Sequence, residues 1–183
     1  MFVGGKVRTW LTSDLHLFHS NIIVYCGRPQ EDVDQMNEAI VREWNSVVEP
    51  DDRVIVVGDL SAGLGPRKEE LRSIIERLKG RKMLIRGNHD HQTNEWYISA
   101  GFEAVTDWIL EDRMLFIHKP ATSMNPDTLR IFERLEPELV VHGHIHSRDR
   151  TIPGHFNVAW DRYYRLVDLE EAKHANQARR NMG

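Results

Sequence analysis

Leu139-Val140-Val141-His142-Gly143-His144-Ile145-His146 joins a short β-branched apolar run directly to three imidazoles at alternate positions. A run of this length, closed by a glycine, reads as a buried strand that ends in a site. Side chains two apart in extended backbone point the same way, so the alternation predicts that His144 and His146 reach one locus. Taken alone, the stretch is equally a histidine-rich edge strand, since histidine also serves in satisfied, non-ligating roles. The rest of the chain tips that balance.

Four other strand-like runs end in the same kind of chemistry. Residues 7–12 alternate and lead into Ser13-Asp14-Leu15-His16; residues 53–57 form a continuous apolar run before Gly58-Asp59-Leu60. Residues 82–85 deliver Arg86-Gly87-Asn88-His89-Asp90, and residues 113–117, the second arm of a hairpin expected over residues 104–117, deliver His118-Lys119-Pro120. A strand-terminal Asp such as Asp14 is by itself a turn former or helix cap as readily as a ligand. Helical spacing of Val33, Met36, Ile40, Val41, Trp44, Val47 and Val48 predicts an amphipathic helix over residues 33–48. A second helix is expected from Gly65-Pro66 to a stop at Gly80, a short one over residues 96–100, and another opening at Asn125-Pro126. Residues 25–29 read as a loop, residues 156–160 and 164–169 as two further strands, and residues 170–181 as a polar terminal helix or a frayed tail. Strands alternating with helices imply an α/β fold, whose ligands bind beyond the carboxyl ends of the strands.

Bulk properties narrow the class. With 183 residues and neither repeat nor linker, the chain is expected to form one domain over residues 1–183. Hydrophobic residues at 40% and charged residues at 28% are ordinary for a globular protein, and no apolar stretch is long enough to span a bilayer. The first residues lack a signal core and Cys26 has no second cysteine to pair with, which favours a reducing, cytoplasmic setting. A formal charge of −4 argues against broad nucleic-acid binding through a basic surface. Ten histidines are a surplus that needs placing.

The five strand ends offer two carboxylates, one amide oxygen, four or five imidazoles and no thiolate. Such a mixed oxygen and nitrogen set suits divalent Mn, Fe, Zn, Co or Ni better than calcium. Seven or eight ligands are too many for one tetrahedral ion, whereas two ions roughly 3.5 to 4 Å apart use them by sharing a carboxylate, a common device for phosphate-ester cleavage. The shared group should come from the middle of the set, which points to Asp59.

The ordered motifs Asp14-Leu15-His16, Gly58-Asp59, Gly87-Asn88-His89-Asp90, His118 and Gly143-His144-Ile145-His146 resemble those of the calcineurin-like metallophosphoesterase superfamily. Phe156-Asn157-Val158-Ala159-Trp160-Asp161 looks like the strand that follows the last histidine motif in its small bacterial and phage members. Singly, Gly-Asp or Gly-His carries almost no information; five motifs in order do. The resemblance implies a two-sheet β-sandwich flanked by helices, in four αββα layers, with the site at one end. It also implies one ion held by Asp14, His16, Asp59 and His146, and another held by Asp59, Asn88, His118 and His144. His89 stays unligated and acts on substrate. The cofactors would be two divalent metal ions, drawn from Mn, Fe, Zn, Ni and Mg.

The Ser/Thr protein phosphatase branch of this superfamily carries a second Asp three positions after the shared one, followed by Arg. Ala62 and Gly63 stand there, which argues against a protein phosphatase and leaves the partner of His89 unassigned, Asp90 being adjacent in sequence only. His19 either lines the site or supports a ligand, and His142 is favoured as a support. His91, His155 and His174 are expected to be structural or exposed. For Arg28, Arg86, Arg148, Arg150 and Lys119, solvation is favoured over a contact with substrate phosphate. Trp160, Tyr163 and Tyr164 are expected in the core rather than stacked on a nucleobase.

The function expected is metal-dependent hydrolysis of phosphate esters, a phosphodiesterase rather than a phosphomonoesterase. The substrate would be a small-molecule phosphate ester or nucleotide, with nucleic acid and nuclease action less favoured and no membrane partner. Two rival classes are a non-enzymatic interaction or scaffold module on the same fold, and a metal-binding protein without turnover. The presence of His89 beside every expected ligand speaks against both.

Overall fold

Val54, Ile55, Val56 and Val57 are all fully buried, which requires both faces of their strand to be covered. A computed structural model, which describes residues 6–62, 67–147 and 152–181, shows what covers them. In chain order the first half forms β1 (Thr9–Thr12), α1 (Ser20–Cys26), α2 (Val33–Val47), β2 (Arg53–Val57), α3 (Lys68–Arg77), β3 (Arg81–Ile85), α4 (Asn94–Ser99) and β4 (Phe102–Thr106). The second half forms β5 (Trp108–Glu111), β6 (Met114–Ile117), α5 (Pro126–Arg134), β7 (Leu139–His142), β8 (His155–Asn157), α6 (Trp160–Tyr163), β9 (Val167–Asp168) and α7 (Leu169–Asn181). The strands make two sheets, ordered β4-β3-β2-β1-β9 and β5-β6-β7-β8. β1 to β4 run parallel, as do β6 to β8, while β9 and β5 are antiparallel edges.

Period-two alternation divides the apolar side chains into layers. Leu11, Ile55, Val57 and Ile85 of one sheet meet Met114, Phe116, Leu139, Val141 and Phe156 of the other, so the sheets pack face to face. The opposite side chains, Trp10, Val54, Val56 and Leu84, are covered by Met36, Ile40, Val41 and Trp44 of α2 and by Leu71, Ile74 and Ile75 of α3. On the far side, Leu115, Ile117 and Val140 are covered by Phe132 of α5. Mixed α/β architecture is what the alternation of strands and helices implied, and two sheets with flanking helices are what the resemblance implied. Each large apolar side chain removed from water this way contributes about 1.5–3 kcal/mol. Helix starts are fixed locally: Asp32 accepts from Gln35 N at 2.8 Å and Asn125 from Thr128 N at 2.9 Å, the latter with proline at the first helical position.

Several local expectations are corrected. Tyr25 and Cys26, expected in a loop, close a helix over residues 20–26; α1 has no side-chain cap at His19 to announce it and ends in a left-handed Gly27. The expected arm over residues 104–110 is two strands in different sheets, because β4 pairs with β3 and β5 with β6, the chain crossing over at Asp107. Beyond Asn157 the chain folds into α6, since Trp160 N donates to Ser13 O at 2.9 Å and Ala159 N to the Asn157 side chain at 2.9 Å. The later strand shrinks to the two residues of β9. Gly63, the Gly65-Pro66 helix opening, Arg148 and Arg150 lie outside the described residues. No helix among the described residues is long and apolar enough to cross a membrane.

This arrangement aims the carboxyl ends of β1, β2 and β3 and those of β6 and β7 at one end of the sandwich. Hydrogen bonding continues past the strands there. Asp14 N donates to Gly58 O and His16 N to Asp59 O, each at 3.0 Å, and Gly143 N to His118 O at 3.1 Å.

Candidate metal centre

Asp14, His16, Asp59, His144 and His146 all have positive φ, between 50° and 70°. A left-handed backbone costs an L-residue roughly 1–2 kcal/mol, and five such residues at one end of the fold mark a site where strain is concentrated. The finding also corrects the reason for convergence. β7 stops at His142, and His144 and His146 meet their partners through left-handed turns rather than strand alternation. Asp14 and His16 do the same beyond β1.

Two glycines make the close approach feasible. A Cβ on Gly87 would collide with Asp59 Oδ1, and one on Gly143 would collide with Ser13 Oγ and Asp14 Oδ2. Only glycine lets these loops lie against the two carboxylates.

The donor atoms gather around those carboxylates. Asp59 Oδ2 lies 3.6 Å from His16 Nε2 and 3.3 Å from His118 Nε2. Asp14 Oδ1 lies 3.7 Å from His146 Nε2 and 4.0 Å from His16 Nε2. Ligand atoms of Asp14, His16 and His146 fall within 4.8 Å of one another, as do those of Asp14, Asp59 and His118. The His144 ring sits 5.2 Å from that of His118. Asn88 is exposed at the end of β3 and lines a groove with Gly87 and His118. Its neighbour His89 sends its main-chain N–H to Asp59 Oδ1 at 2.8 Å, while the His89 ring stays half-exposed, 5.2 Å from His16. Of the eight sequence-derived residues, the fold thus groups Asp14, His16, Asp59, His118 and His146 by direct approach. It sets His89, Asn88 and His144 at their margin.

The electrostatics favour a cation. Both ring nitrogens of His16 and Nε2 of His118 are buried without a hydrogen-bond partner, although a buried polar atom ordinarily has one. His118 Nδ1 donates to Val57 O at 2.9 Å, which leaves Nε2 to face Asp59. Burial opposes a proton on His118, yet Asp59 and Asp14 beside it raise its pKa to about 9. Burial likewise opposes the charge on Asp59, but His118 and the His89 N–H hold its carboxyl below the usual carboxylate range. His16 is pushed down to about 3 and His144 to about 4, in each case first by burial. Two buried carboxylates, neutral imidazoles and unpartnered nitrogens match the donor chemistry of a first-row dication.

The sequence left several neighbours open. Asp90 does not orient the His89 ring; buried under the loops, it accepts from Asp59 N and Gly87 N at 2.8 Å and from Leu60 N at 3.0 Å. It ties the Asp59 loop to the Asn88 loop, and burial pushes its pKa up to about 6. Asp90→Asn, which aims an amide N–H at one of these donors, is expected to destabilise the metal-free protein by about 2–3 kcal/mol, read as a lower urea midpoint. His19 lines the mouth, its ring 5.5 Å from His16 and 6.3 Å from His89. His142 is buried against His155, ring to ring at 5.6 Å, with Nδ1 2.9 Å from Gly143 O.

Arg28, expected at the surface, is buried and ion-paired to Asp161, and Arg86 is committed to Asn94 Oδ1 and Asp90 O. Lys119 is exposed. Trp160 is core and Tyr163 stacks on Phe156, whereas Tyr164 is exposed. Sequence reasoning missed Ser13, whose hydroxyl donates to Asp14 Oδ2 at 2.5 Å, and Asp161, which meets His146 Nδ1 at 2.5 Å. The apolar residues around Asp161 read as strand and gave no sign of it.

Residues 8–159 match the family model described as the calcineurin-like phosphoesterase superfamily domain. The chain is 32% identical over 142 residues to an uncharacterised protein of Methanocaldococcus jannaschii, covering 76% of this chain and 70% of that protein. It is 27% identical over an alignment of 192 positions, gaps included, to the gene 66 protein of Mycobacterium phage D29, covering 90% of this chain and 93% of that protein. A protein of unknown function from Aquifex aeolicus superposes with a TM-score of 0.74 at 22% identity, over 93% of this chain and 100% of that one. Phosphopantetheinyl hydrolase from Mycobacterium tuberculosis superposes with a TM-score of 0.54 at 14% identity, over 91% and 97%. These two likenesses concern the fold.

Proposed function

The chain belongs to the calcineurin-like phosphoesterase superfamily, and from that premise we propose that it is a phosphodiesterase working at a two-cation centre. The superfamily's general chemistry is metal-dependent hydrolysis of phosphate esters. In the reading proposed, Asp14, His16, Asp59 and His146 hold one cation, and Asp59, Asn88, His118 and His144 hold the other. When bound, such a pair supplies Lewis acidity to phosphoryl oxygens and acidifies a water for attack at neutral pH. The chain's own residues do the rest. Asp59 and Asp14 fix the negative charge that the cations need, His118 and His16 present nitrogen lone pairs, and His89 projects a ring over the mouth. Its place there suits donation of a proton to the departing alkoxide.

The observation that supports a diester is the groove beside the centre. It has a volume of about 440 Å³ and runs from Gly87, Asn88 and His118 past Asp107 and Lys119 to Ser123, Asn125 and Thr128. A phosphomonoester needs room for one substituent, whereas a diester carries a second that must leave the centre in another direction. The groove offers that room, with Lys119, Asn125 and Thr128 as polar contacts suited to a nucleotide or a similar small polar ester. The net charge of −4 and the absence of a basic stripe favour small esters over long nucleic acid.

Metal-stripped protein supplied with Mn, Ni, Zn or Mg should hydrolyse a bis-aryl phosphate with at least about tenfold higher kcat/KM than the matching mono-aryl phosphate, a difference of about 1.4 kcal/mol in transition-state binding. Preference for the monoester would overturn the diester reading. Failure with all four metals would leave a scaffold module on this fold.

A further inference from the structure

We infer that the buried Arg28–Asp161 pair positions His146, fixing which ring nitrogen faces Asp14 and so setting how tightly a cation is held there. This rests on the reading that His146 and Asp14 are metal ligands.

Arg28 follows α1 and is only 4% exposed. Its guanidinium grips Asp161 through Nε to Oδ1 at 2.7 Å and Nη2 to Oδ2 at 3.2 Å. The same group donates from Nη2 to Asp14 O and from Nη1 to Leu15 O, both at 2.7 Å, with Nη1 also 3.2 Å from Met36 Sδ. One side chain therefore holds the turn that carries Asp14 and the carboxylate that meets His146, 133 residues away from Arg28 at Asp161. A planar fork can do this; a lysine could not satisfy four oxygens in these directions.

Asp161 Oδ2 lies 2.5 Å from His146 Nδ1. A carboxylate engaged by a guanidinium on both oxygens is an acceptor only, so this contact requires a proton on Nδ1. The lone pair is then left on Nε2, the nitrogen 3.7 Å from Asp14 Oδ1. Asn157 completes the support by donating from Nδ2 to His146 O at 2.7 Å. Because a ring with its Nδ1–H held by a carboxylate is oriented and more basic at Nε2, such outer partners raise metal affinity.

The neighbourhood offers a rival use of the same ring. Cys26, His146 and Asp161 place ligand atoms within 4.8 Å of one another, with Cys26 Sγ 3.5 Å from Nδ1. A cation there would coordinate Nδ1 and turn Nε2 away from that role. Arg28 decides between the two, because its own positive charge already occupies both oxygens of Asp161.

The decisive measurement uses zinc-loaded, nitrogen-15-labelled wild-type protein. Long-range proton–nitrogen spectra should show His146 protonated at Nδ1 and coordinated at Nε2. Coordination at Nδ1, or a proton on Nε2, would overturn the inference. A chelator-competition titration follows with Arg28→Met/Asp161→Leu, which removes both charges together and leaves neither buried alone. Zinc should bind this variant with one equivalent weakened 10- to 100-fold, while circular dichroism shows the metal-free variant folded, with a lower melting temperature because the Asp14 and Leu15 carbonyls and the His146 ring lose these partners. A folded double variant with wild-type affinity for every equivalent would also overturn the inference; if the variant does not fold, the wild-type spectra decide the matter by themselves. Absence of any zinc binding by the wild type would instead fell the metal-site reading, and the inference with it.

Discussion

Asp59→Asn is expected to cost the protein most of its bound metal and essentially all of its phosphoesterase activity. The residue is 2% exposed, and its carboxylate stands between two histidines, with Oδ2 3.6 Å from His16 Nε2 and 3.3 Å from His118 Nε2. Asparagine keeps the shape and one acceptor, but it removes the charge and one of the two oxygens that a shared carboxylate must supply. Losing an outer partner of a ligand costs roughly 10- to 100-fold in affinity, so loss of the carboxylate proposed to be shared should exceed that. The proton balance offers a second readout. Asp59 and Asp14 raise the His118 pKa to about 9 against the cost of burial, so cation uptake at the proposed centre should displace that proton and tighten as pH rises toward 9. In Asp59→Asn one of those partners is gone, and fewer protons should be released per cation bound. Elemental analysis gives the first result, and calorimetric titration in two buffers of different ionisation heat gives the second. A variant that kept wild-type metal content would remove Asp59 from the centre of the scheme.

How much of this could be read from the chain alone depends on the range of each interaction. The five motifs were legible because every one follows an apolar β-rich run, and strand ends on one side of an α/β sheet collect ligands whatever their separation in sequence. Why Asp14 with His16, and His144 with His146, converge was not legible. Period two predicts it from extended backbone, whereas the fold achieves it with left-handed residues; Asp and His are enriched among non-glycine residues at positive φ, but that preference is too weak to single out these positions in a chain with ten histidines. Asp90 shows a subtler limit. Its neighbour in sequence is His89, but its carboxylate serves the backbone of Asp59, Leu60 and Gly87, and only the packing of two loops reveals this. Arg28 and Asp161 lie furthest beyond reach, because a buried ion pair over 133 residues has no local pattern and surface solvation was the better expectation for an arginine. The break at Asp107 belongs to the same class: one aspartate between the strand-like runs 104–106 and 108–110 does not announce a change of sheet, and the choice of two different sheets is made by β3 and β6.

His89→Ala should separate binding from turnover, leaving metal content unchanged while lowering kcat by about 100- to 10,000-fold, the range for a positioned proton donor. The substitution is clean for a structural reason. What His89 gives to the centre is its main-chain N–H, donated to Asp59 Oδ1 at 2.8 Å, and alanine retains that group. Only the ring is lost, and the ring stands apart from the carboxylates, 5.2 Å from His16 and 6.3 Å from both His19 and His91 at the half-exposed mouth. The size of the loss should follow the leaving group. An alkyl ester departs as a strongly basic alkoxide that needs a proton, so His89→Ala should approach the upper end of the range. A nitrophenyl ester departs as a weak base and should suffer least. Equal losses for both esters would assign the ring to charge stabilisation of the phosphoryl group rather than to proton donation. A metal-depleted His89→Ala would make the ring a ligand. His19, whose ring at the mouth lies 5.5 Å from His16, is the group proposed to carry the residual rate, so His19→Ala/His89→Ala should fall below His89→Ala on the alkyl ester and match it on the nitrophenyl ester.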